Sequence, residues 1–168
     1  MLARQHAEEG ISIYQPRYHS LAFLYGGDDP GVCCFSHRAV ALWILGYPER
    51  ALQSAGEALS LAERLSHPLS TALANVFIAM VHQLRGEREE ALHSANAAIT
   101  VSDEHGFPFF LALGTIVHGW ALSEPGREEG IAQIRQGSAA YRATGAESFR
   151  LYQLALLAEA LGIVERPV

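Results

Sequence analysis

Eight histidines and one adjacent cysteine pair are the residues of this chain best suited to chemistry. Imidazoles and thiolates together suit a zinc site, which needs three or four such donors at short fixed spacing. Neither H-E-x-x-H nor C-x-x-C occurs, and the histidines fall in separate stretches of sequence. His37, His82 and His118 could converge only if three helices presented one face, so no metal and no cofactor are expected. Cys33 and Cys34 could be activated at a helix start, where a thiol pKa falls. Two small apolar side chains in a packed helix explain them better. Adjacent cysteines rarely bridge and no third cysteine exists, which fits a reducing compartment. Asp28 and Asp29 before Pro30 read as acidic capping of a helix start, since a calcium loop would need more oxygen donors. No Ser-His-Asp set, carboxylate pair or G-x-x-x-x-G-K-[ST] loop can be defended, and the chain is not expected to be an enzyme.

The elements that would carry these residues repeat. Gly46, Gly86 and Gly126 stand forty residues apart and open the segments GYPERAL, GEREEAL and GREEGI; Pro68 and Pro108 keep the same spacing. Such a period marks a stacked array of helical units, which mostly presents surfaces. Each unit divides into a nearly all-apolar first helix, over about 31–45, 69–85 and 109–124, and an amphipathic second helix, over about 48–65, 87–104 and 127–143. Turns are expected at Gly46–Tyr47, Ser66–Pro68, Arg85–Gly86, Gly106–Pro108, Pro125–Gly126 and Gly145–Ala146. Seven residues before each glycine stand Ala39, Ala79 and Gly119; Ala51 and Ala91 follow five after the first two, and Gly130 takes that place in a third unit one residue shorter. Small residues here let paired backbones approach closely. The large aromatics Trp43, Trp120, Tyr141 and Tyr152 suit the core or a groove.

Composition bounds the partners. The chain has 168 residues, is 49% apolar and 18% charged, and carries a net charge of −6. No basic block is present to displace counterions, so nucleic acid is not an expected partner. No run of eighteen apolar residues and no signal-like N-terminus occur, so no membrane is expected and the reading is cytoplasmic.

The arrangement of small residue, turn glycine, second-helix alanine and proline at Ala79, Gly86, Ala91 and Pro108 resembles the tetratricopeptide repeat. The period exceeds that family's usual length, and Phe35, Asn75 and Thr115 stand where it places a large aromatic. The phrases SLAFLYG, ALWILGYPERAL, EHGFPFFLALGTIVHGWAL and EEGIAQIRQGSAAYRATGAE resemble, from about His6 onward, the C-terminal helical region of bacterial signalling proteins. Those proteins join an adenylate or guanylate cyclase, or a kinase, to an AAA-type ATPase. The resemblance implies a regulatory module; a cyclase label would describe neighbours not in this sequence.

The fold expected is therefore a single all-α, tetratricopeptide-like α-α superhelix over 1–168, with about eight helices. Residues 1–14 form the second helix of a partial repeat and 15–30 an insertion. The spans 31–67, 68–107 and 108–147 form helix pairs, and 148–168 the first helix of a truncated repeat. The leading functional expectation is a non-catalytic scaffold binding a protein or peptide in a groove lined by first helices, with Asn75, His82, His118 and Trp120 facing it. The alternative is a small-molecule sensor controlling an attached cyclase or ATPase, which would need an enclosed apolar pocket with a few polar groups. The out-of-phase ends imply a piece of something longer or an associating chain. Leu151, Leu154, Leu157 and Leu161 on the terminal helix would then be uncovered and could pair two copies, since each buried leucine contributes about 1.5–3 kcal/mol.

Overall fold

The computed structural model describes residues 1–125 and 128–164. Helix α1 spans Leu2–Ile13, and a ten-residue 3-10 helix, Pro16–Tyr25, fills the insertion. Three helix pairs follow: α2 Pro30–Ile44 with α3 Pro48–Leu65, α4 Pro68–Arg85 with α5 Arg88–His105, and α6 Pro108–Ala121 with α7 Glu129–Ala143. Helix α8, Arg150–Val164, follows the third pair, and no strand occurs among the described residues. The chain is an all-α helical repeat.

Local sequence explains most boundaries. Pro30, Pro48, Pro68 and Pro108 each take the first position of a helix, where the missing N–H leaves no bond unmade. The Asp29 carboxylate caps α2 by accepting from the Gly31 and Val32 amides at 2.9 and 3.1 Å. Helices α4 and α5 stop at Gly86 and Gly106, both in the left-handed region that closes a helix. Forty residues before Gly106, Ser66 makes the same turn at φ 50° despite its Cβ.

The third unit departs from expectation. Helix α6 ends at Ala121 rather than near 124, and α7 starts at Glu129 rather than 127. Arg88 of α5 explains the early stop: its Nη1 donates to the carbonyls of Trp120 (2.9 Å) and Ser123 (3.0 Å), satisfying groups that another turn would otherwise take up. The expected turn glycine Gly126, Arg127, and the tail Pro167–Val168 lie outside the described residues.

The small-residue column is where paired helices touch. Ala39, Ala51, Ala79 and Ala91 are fully buried. In the third pair a Cβ on Gly119 would come within 2.7 Å of the Gly130 carbonyl oxygen, and one on Gly130 would strike the Gly119 carbonyl. Around this seam runs one continuous core, with Trp120, Tyr141, Leu113, Ile116, Ile134 and Leu156 its largest fully buried side chains. A smaller cluster of Ala39, Leu42, Ala51, Ala55 and Val81 sits beneath Trp43.

Helix α8 corrects the expectation of four uncovered leucines. Leu151 and Leu154 are 83% and 53% exposed, but Leu157 and Leu161 are half-buried against the main core. The helix finds cover by reaching back over the array. Phe149 packs edge-on against Phe77 of α4 at 6.2 Å and against Tyr141 of α7 at 6.5 Å. The Tyr152 hydroxyl donates to Gln83 Oε1 at 3.0 Å. None of the helices among the described residues is long and apolar enough to cross a membrane.

Candidate functional site

Between the second helices α3 and α5 lies a furrow of about 440 Å³ whose floor is α4. Asn75, Ile78 and His82, at spacings of three and four, project from α4 into it. Leu59 of α3 forms one wall; Glu89, Glu90, His93 and Ser94 of α5 form the other. Two of the four expected contact residues, Asn75 and His82, therefore share one site. It is walled by second helices rather than by the first helices foreseen from the repeat pattern. Phe77, on another side of α4, faces His37 and Phe149 instead.

Both residues are held in place. Asn75 is only 7% exposed, and its Nδ2 donates to the Thr71 carbonyl at 2.9 Å. His82 Nδ1 lies 2.7 Å from Glu87 Oε2, and Arg85 Nε donates to Glu87 Oε1 at 2.7 Å. The hydrogen bond from His82 leads the causes that hold the Glu87 carboxyl below the usual carboxylate range. The cluster clamps the α4–α5 turn and fixes the imidazole at the end of the furrow.

The other two expected residues are elsewhere. Trp120 is 1% exposed in the core, with the Arg88 guanidinium 4.6 Å from its ring, so it cannot meet a partner. An apolar first helix flanked by small residues draws its largest side chain inward, which corrects the groove assignment. His118 Nδ1 lies 2.6 Å from Gln133 Oε1 and bridges α6 to α7.

Sequence reasoning missed a buried polar network at the start of α2. The Asp29 side chain is fully buried, and besides its capping bonds it accepts from the Tyr14 hydroxyl at 3.1 Å and faces His19 Nδ1 at 3.1 Å. The Asp29 amide donates to Ser70 Oγ, which lies 2.8 Å from His67 Nδ1, and the His19 and His67 rings meet edge-on at 4.7 Å. Burial, then the Asp29 charge, pushes the Tyr14 phenol up to about 12. Burial, then the nearby His19, lowers the pKa of His67. The acidic capping at 28–29 was legible, but no spacing rule joins Tyr14, His19 and Ser70. Beside this network an apolar recess of about 320 Å³ is lined by Gly10, Ile13, Tyr14, Tyr18, Leu21 and Cys34.

Burial raises both cysteine thiols above their usual range. Cys33 Sγ sits 3.5 Å from His37 Nδ1, yet burial, then Asp28, pushes its thiol up to about 12. At neutral pH it stays protonated and is a poor nucleophile. Among the described residues no three His, Cys, Asp or Glu side chains gather as a metal-binding set. Compared with family models, curated proteins and solved structures, the chain matches none.

Proposed function

We propose that this chain is a non-catalytic interaction module, the regulatory helical-repeat part of a bacterial signalling protein, and that it holds a peptide segment in the furrow over α4. The observation that carries this reading is the furrow itself: open, apolar at Leu59 and Ile78, and edged by Asn75, His82 and His93. An extended peptide needs apolar contact together with side-chain donors and acceptors for its backbone. Glu89 and Glu90 on the exposed edge favour a basic residue in that peptide. Peptides selected by display on the whole chain should lose binding to a variant combining Asn75→Ala, His82→Ala and His93→Ala. Equal binding to that variant would remove the furrow from the function.

A small-molecule sensor remains a second reading, favoured by the apolar recess beside the Asp29 network. A metabolite screen by thermal shift would support it if hits vanished with Tyr18→Ala and survived the furrow substitutions. Pairing of two copies through α8 now rests on Leu151 and Leu154 alone. Light scattering at high micromolar concentration, with and without Leu151→Glu, tests it; a clean monomer in both rejects it.

A further inference from the structure

The seam between α7 and α8 differs from the seams before it. A recess of about 230 Å³ opens there, lined on α7 by Arg135, Ser138 and Arg142 and on α8 by Arg150, Gln153, Leu154 and Leu157. Aligned on Ala51, Ala91 and Gly130, the positions of Arg135, Ser138 and Arg142 hold Gly56, Leu59 and Glu63 in the first unit. In the second they hold Asn96, Ile99 and Asp103. An apolar residue beside an acid has become a hydroxyl between two arginines.

Two of the three arginines lack acidic partners. Arg135 and Arg142 form no ion pair among the described residues, and Arg150 meets only the exposed Glu147 at 3.5 Å. Elsewhere Arg4, Arg38 and Arg85 are each paired with a glutamate. Three exposed guanidinium groups line one recess in a chain of net charge −6.

Gln153 supplies the independent observation. It is 4% exposed, lines the recess, and its buried Nε2 has no hydrogen-bond acceptor. A buried amide donor left unpaired is costly, so its presence calls for a reason. Counting back thirty-nine residues, Gly114 stands at the same point of α6, where even a Cβ would lie 3.4 Å from the Ala95 carbonyl oxygen. Gly114 lets α5 and α6 touch; the larger Gln153 stands at the matching place between α7 and α8, its amide nitrogen buried and unpaired.

We infer that this recess binds a phosphate monoester with a small apolar organic group. Guanidinium forks match tetrahedral oxyanions, Ser138 adds a hydroxyl, the Gln153 amide gains an acceptor by turning its nitrogen toward the recess, and Leu154 and Leu157 offer the organic group an apolar wall. The volume lies below that of drug-sized pockets, which suits a small ligand. The site is independent of the furrow over α4.

The test is an NMR titration of the whole chain at constant ionic strength, following the arginine Nε–Hε and glutamine side-chain amide signals. Inorganic phosphate should give saturable shifts at Arg135, Arg142, Arg150 and Gln153, and phenyl phosphate should bind more tightly than phosphate. Arg142→Gln and Arg135→Gln should each weaken phenyl phosphate about tenfold, the loss of one charge-assisted hydrogen bond. Gln153→Leu should weaken it while leaving the helices folded by circular dichroism. Equal shifts from chloride would overturn the site, as would unchanged affinity in folded Arg variants. Equal binding of benzoate would overturn its phosphate specificity.

Discussion

The α5–α6 and α7–α8 seams join the same kinds of helix, a second helix to the next first helix, and they have opposite characters. At the earlier seam Gly114 brings α6 against Ala95, Ala98 and Ile99. At the later one Gln153 stands in the matching place, Arg142 replaces an acidic side chain, Ser138 an apolar one, and a recess remains. A repeat can thus keep its core while one interface exchanges close packing for a recess lined by arginines. What changes is the side chains on both facing helices, in a unit one residue shorter than its predecessors.

The largest expected effect comes from closing the space that the tight seams need. Gly130→Ala should cost roughly 2–3 kcal/mol, because the added methyl meets the Gly119 carbonyl and neither helix can yield. Urea unfolding should show a lower midpoint with an unchanged slope; a midpoint within error of the parent would mean that α6 and α7 separate readily. Next, Gln153→Leu should stabilise the ligand-free chain by about 1–2 kcal/mol, since a buried donor without an acceptor is replaced by an apolar side chain. Gained stability with lost phenyl phosphate binding would mark Gln153 as a residue kept for recognition. Loss of stability would instead place it in the packing, like Gly114.

Away from both seams, Ser66→Gly should stabilise by about 1 kcal/mol, because glycine removes the strain of a left-handed turn. Thermal melts of that variant and the parent decide it. The smallest effect is with pH. His67 has a folded pKa below its free value, so the unfolded chain binds the proton more readily. This contribution is complete above about pH 6.5, the unperturbed histidine value, and is lost as pH falls through the folded pKa. Melting temperature should therefore drop between neutral and mildly acidic pH, and the drop should shrink in His67→Gln. If it does not, the Asp29 network is not the acid-sensitive part.

The sequence carried the period, the proline starts, the glycine stops and the Ala39–Ala51, Ala79–Ala91 and Gly119–Gly130 contacts. All of these depend on local geometry or on a fixed offset. The position of Trp120 did not follow from pattern, because a helix apolar on all sides does not reveal which face is inward. Asn75 and His82 were picked from the right helix, but which face the furrow opened on depends on how α3 and α5 flank it. The recess at Gln153 becomes visible in sequence only when the short third unit is aligned residue by residue on its predecessors. The path of α8 across α4 has no local signal at all, since Phe149 and Tyr152 meet Phe77 and Gln83 from far along the chain.

That path alters how the array should come apart. In a stack where each unit touches only its neighbours, the last helix can peel off while the remainder stays folded. Here the bond from Tyr152 to Gln83 spans 69 residues and passes over the whole third unit. Releasing α8 uncovers Phe77 and strips a partner from Gln83, so the end of the chain is coupled to its middle. Amide hydrogens of α4 and α8 should then exchange in one cooperative event rather than as a graded series from the end.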